Sequence, residues 1–67
     1  MSLLASDIVW RLRQVGLIVE DYQIRWAIRH KRIAIAPRKN PVGHYQFTDA
    51  DFKAIEVYFR AKEAKKS

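Results

Sequence analysis

The chain contains no cysteine, so neither disulfides nor thiolate metal sites can hold it together. It has no apolar run approaching the ~20 residues that a membrane span needs, and no signal-peptide pattern opens it. Those absences imply a cytoplasmic protein with no membrane partner. Only two glycines are present; there is no Gly/Ser-rich linker and no internal repeat, so the 67 residues are expected to form one domain over 1–64, with 65–67 as a frayed basic tail. A chain this short buries only about 60% of its unfolded surface, which calls for a compact fold of marginal stability. Its apolar fraction of 49%, with eight aromatics, supplies one core and argues against a disordered basic tail.

Catalytic signatures are missing as well. No Gly-rich phosphate loop occurs, and Ser6 and Thr48 have no base beside them. His30 and His44 are the only histidines, with no carboxylate at ligand spacing, so neither a metal nor a cofactor is expected. Asp49 and Asp51 are paired carboxylates, but their position at a helix start accounts for them as capping and dipole partners. No small-molecule effector site is evident, and an enzyme is the least supported class.

One further absence is informative. From Tyr22 to Phe47 there is no Asp or Glu, while Arg25, Arg29, Lys31, Arg32, Arg38 and Lys39 all fall there. Outside that window seven basic residues balance seven acids, so the six cations carry the whole net charge of +6. Interleaved with Tyr22, Trp26, His30 and Tyr45, they suit a polyanionic partner, of which nucleic acid is the commonest.

Along the chain, Ser6 is expected to cap a first helix, with Asp7 in its first turn. Ile8, Val9, Leu12 and Val15 form its apolar stripe, and Gly16 ends it. A second helix is expected over about Val19 to Lys31. Ile24, Ala27, Ile28 and the Lys31 stem form its buried side; Tyr22, Trp26 and Arg29 project opposite, flanked by Gln23, Arg25 and His30.

Ile33-Ala34-Ile35-Ala36 and His44-Tyr45-Gln46-Phe47 are expected to pair as a short hairpin with Arg38 and Lys39 at its tip. Asn40-Pro41-Val42-Gly43 fits a type I turn between them. Thr48 and Asp51 have capping-box spacing, and Phe47 can staple against Phe52. Phe52, Ile55 and Phe59 then line the core side of a helix running to about Ala64. Truncating Phe52 to alanine is expected to cost about 3–5 kcal/mol. Trp10 and Tyr58 could sit in the core or form a partner surface; in a domain this short of apolar mass, the core is the expectation.

The order is helix, turn, helix, hairpin, helix: mainly α with a small β-hairpin, a winged helix-turn-helix. In detail the chain resembles the winged helix-turn-helix DNA-binding domains of the MerR-like and phage excisionase-like superfamily. Arg13-Gln14-Val15-Gly16-Leu17 resembles the family's polar-polar-x-Gly-apolar turn. Ile24-Arg25-Trp26-Ala27-Ile28-Arg29 resembles its recognition helix and Lys31-Arg32-Ile33 the exit, with Lys31 where a Gly is common. Gly43 through Phe52 resembles the wing strand and the start of the next helix.

The resemblance implies a non-catalytic protein that binds double-stranded DNA, with sequence specificity, acting in recombination directionality or as a small transcriptional regulator. Tyr22, Gln23, Arg25, Trp26, Arg29 and Arg32 would face DNA from the helix, and Arg38, Lys39 and His44 from the wing. A recombinase or further copies of the chain on DNA would be additional partners, and the bound protein would be nucleoid-associated. The chain ends before any dimerisation helix or effector domain, which points to a free-standing excisionase-like protein or an isolated N-terminal domain. Two rival readings use the same residues: a protein-interaction module with Trp26 and Tyr22 as anchors for an acidic partner, and an RNA-binding domain on the same basic face.

Overall fold

The computed structural model describes residues 3–66, which form three helices and a two-stranded hairpin in the expected order. These are α1 (Ala5–Gln14), α2 (Asp21–Arg29), β1 (Arg38–Lys39), β2 (Tyr45–Gln46) and α3 (Asp49–Lys66). No helix among the described residues is long and apolar enough to cross a membrane.

All three helices begin with the same device. An acceptor side chain three residues into the helix reaches back to the backbone N–H of the capping position. Asp7 accepts from Leu4 (2.9 Å), Gln23 from Glu20 (2.7 Å) and Asp51 from Thr48 (3.0 Å). Only at α3 is the exchange returned by a side chain: the Asp51 N–H donates to Thr48 Oγ1 at 3.1 Å, completing the expected capping box. The expected cap at Ser6 is corrected. Asp7 draws the start of α1 back so that Leu4 is the cap, and the Ile8 N–H donates to the Leu4 carbonyl.

α1 and α2 also end alike. After α1 the Leu17 N–H returns to the Leu12 carbonyl (2.8 Å) and the Gly16 N–H to that of Arg13 (3.1 Å), with Gly16 at φ +87°. After α2 the Arg32 N–H returns to Ala27 (2.8 Å) and the Lys31 N–H to Ile28 (3.1 Å). Both are Schellman closures, which need a left-handed residue just past the helix. Glycine fills that place once; the second time it is Lys31, at φ 56°. α2 is therefore shorter than the expected Val19–Lys31 span, and Lys31 is exposed rather than part of the buried side.

The hairpin is shifted toward its tip. Arg38 pairs with Gln46 and Lys39 with Tyr45, so these two cations lie in a strand, and Ile33–Ala36 is irregular chain. The turn is as expected. The Gly43 N–H donates to the Asn40 carbonyl (2.9 Å) while Asn40 Oδ1 accepts from Val42 and His44. Gly43 sits at φ +93°, which an L side chain adopts only with strain. Leu3 and Phe47 exchange two backbone hydrogen bonds (2.8 and 2.7 Å), tying the chain start to the last residue before the α3 cap.

The core gathers Ile8 and Leu12 from α1, Leu17 and Val19 from the turn, Ile24 and Ala27 from α2, then Ile33, Phe47, Ile55 and Phe59. Each fully buried side chain among them contributes about 1.5–3 kcal/mol of transfer free energy. Four residues are less buried than expected. Val15 and Trp10 are exposed, Trp10 at 62%: Trp10 falls on the outer side of α1, and Val15 lies past its end as the C-cap, where the chain turns away. Phe52 is only half-buried, with the Arg11 guanidinium 5.6 Å from its ring centroid. Tyr58 is half-buried against the core and meets Phe59 edge-on at 5.0 Å. α3 continues past the expected end near Ala64, through Lys65 to Lys66, while Ser67 lies outside the described residues.

Candidate nucleic-acid interface

α2 buries one side and leaves the other open, and the open side divides into two surfaces. With Ile24 and Ala27 inward, a 100° step per residue spreads Arg25, Arg29, Tyr22 and Trp26 over one outward arc, with Arg25 at one flank, Trp26 at the other and Arg29 and Tyr22 only about 20° apart between them. The hairpin meets the first flank and α3 meets the second.

On the hairpin side, Arg25 and Arg29 line a cleft of about 300 Å³ together with Lys39, His44, Tyr45 and Gly43. The tight turn at Asn40–Gly43 brings Lys39 and His44 to the same end of the hairpin. The Asn40 N–H donates to the His44 carbonyl at 2.9 Å, and Lys39 lies over the Tyr45 ring (5.1 Å). Three permanent cations thus face one carboxylate, Asp21. That carboxylate holds Arg25 at 3.5 Å across one helical turn, an exposed pair worth only a few tenths of a kcal/mol. Among the described residues Arg29 and Lys39 have no ion-pair partner. A surface of this kind can hold a phosphate oxygen with paired guanidinium donors and an ammonium.

On the α3 side, Tyr22 (63% exposed) and Trp26 (47%) line a groove with Gln23, Tyr58, Phe59 and Lys62. Trp26 stacks on His30 at 4.5 Å, tilted by 36°, and Arg32 lies over its ring at 5.9 Å. The expected grouping of Tyr22, Trp26 and Arg32 with the helix arginines is therefore split. Gln23 is half-buried, and its amide oxygen accepts from the Glu20 N–H at the helix start. Arg38 is separated from Lys39 because neighbouring strand residues point to opposite faces. It lines a depression with Gln46, Thr48 and Asp51 instead.

Sequence reasoning missed Asp21 as a member of the cleft, and Tyr58 and Lys62 as the far wall of the groove. The Tyr58/Lys62 spacing of four on α3 was the available sign: Lys62 Nζ lies 5.7 Å from the Tyr58 ring centroid. Among the described residues no cluster of three or more His, Asp or Glu could hold a metal. No protein-family model matches the chain, and neither the curated proteins nor the solved structures contain a match to it.

Proposed function

We propose that this is a winged helix-turn-helix protein that binds double-stranded DNA without catalysing a reaction. α2 would enter the major groove with Arg25 and Arg29 toward the DNA. Lys39 and His44 of the hairpin would grip the adjoining phosphates or minor groove. The observation that carries this reading is the cleft in which the helix arginines and the hairpin cation converge. The acid-free window from Tyr22 to Phe47, to which all three cleft cations belong, also supports it. The role consistent with such a surface is occupancy or bending of a site, as in recombination directionality or transcription control.

The test is anisotropy of a labelled duplex titrated at several salt concentrations. Binding should weaken with a log–log slope of about −3 or steeper, close to one unit per phosphate neutralised. Arg29→Ala and Lys39→Ala should each lower the slope by about one. Arg60→Ala, whose guanidinium is tied to Glu56 at 2.7 Å, should leave it unchanged. Salt-indifferent binding, or equal losses in Arg29→Ala and Arg60→Ala, would refute the reading.

A further inference from the structure

The groove between α2 and α3 shares no cation with the DNA cleft. Its floor is aromatic (Tyr22, Trp26, Tyr58, Phe59), and its volume, about 280 Å³, suits one or two large side chains better than a whole small ligand. Past Gln23 the groove adjoins a more polar depression that holds Ile18, itself 67% exposed, beside Lys62 and Glu63, its one carboxylate. Exposed aromatics gathered beside each other mark contact sites for other proteins.

The charges bordering this surface indicate what would cover it. Arg32 stands over Trp26 and Lys62 over Tyr58. Neither has an ion-pair partner among the described residues, so each has a cation's donors to offer beside an apolar floor. A net charge of +6 opposes a second copy of the chain as occupant. We propose that the groove docks an acidic amphipathic segment of a partner protein, its apolar residues seated on Tyr22, Trp26 and Tyr58 and its carboxylates on Arg32 and Lys62. Apolar anchors three or four residues apart would give such a segment the geometry of a helix in a groove.

The experiment pans a phage library of random 16-residue peptides against the full chain and measures the enriched peptides in solution. They are expected to combine Asp or Glu with Leu, Ile, Phe or Trp at spacings of three and four. Trp26→Ala and Tyr22→Ala should each bind them at least tenfold more weakly, Lys62→Glu should weaken them further than Lys62→Ala, and Arg29→Ala should leave them unchanged. Circular dichroism checks that each variant is folded; two independent exposed aromatics guard against one misfolded protein. Four results overturn the proposal: no enrichment of acidic-apolar peptides, undiminished binding by both aromatic variants, displacement of the peptides by duplex DNA, or Trp26-dependent self-association in sedimentation equilibrium. Loss of DNA binding in Arg29→Ala with peptide binding retained separates this surface from the DNA reading.

Discussion

Replacing Lys31 with glycine should leave the domain more stable than replacing it with alanine. Lys31 holds φ 56° just past α2, where its N–H and that of Arg32 close back on Ile28 and Ala27. A side chain in that left-handed region costs about 1–2 kcal/mol through its Cβ. Glycine escapes that penalty but loses more freedom on folding, by about 0.5–1 kcal/mol. The difference leaves a net gain of about 0.5–1 kcal/mol, a rise of about 2–8 °C in the midpoint for a domain of this size. Lys31 also favours the negative end of the helix dipole by about 0.3–1 kcal/mol, so the clean comparison is Lys31→Gly against Lys31→Ala, both uncharged. Thermal and urea unfolding followed by circular dichroism would measure it. Equal midpoints for the two variants would refute the argument and mean that the turn relaxes when the lysine is replaced. The residue has a consequence beyond stability, since the closure at Lys31 turns the chain so that Arg32 comes to lie over Trp26.

Three further mutations probe the core and the α3 cap. Phe47→Ala should cost about 3–5 kcal/mol, because the ring is fully buried. Phe52→Ala should cost clearly less, because Phe52 is half-buried; denaturant unfolding of both variants checks the order, and a larger loss at Phe52 would reverse it. Thr48→Ala removes the acceptor of the Asp51 N–H and should cost about 1 kcal/mol. An unchanged urea midpoint for that variant would show that the α3 cap contributes nothing measurable.

The element order was legible because each element carries a local cause. The apolar spacing of Ile8 and Leu12, of Ile24 and Ala27, and of Ile55 and Phe59 already separates inside from outside on three helices. Gly16, the Asn40–Gly43 turn and the Thr48–Asp51 box each act within a few residues of themselves, so the sequence shows them directly. The hairpin register was hidden. Ile33–Ala36 has the apolar character of a strand, yet pairing starts at Arg38 because the Asn40–Gly43 turn dictates which residues can face each other. The start of α1 was misplaced for a similar reason: the acceptor at Asp7 outweighed the hydroxyl at Ser6.

From the amino-acid order alone came the three helices, the turn between the strands and the concentration of positive charge on one segment, since periodicity, capping and charge are properties of neighbours. Tertiary packing alone decided that Arg25 and Arg29 meet Lys39 and His44 while Tyr22 and Trp26 meet Tyr58 and Lys62. Those four helix residues share one exposed arc in the sequence pattern. Only the positions of the hairpin and α3 on either side of α2, set by burial of Ile24, Phe47, Ile55 and Phe59 in a common core, divide that arc into a cationic cleft and an aromatic groove.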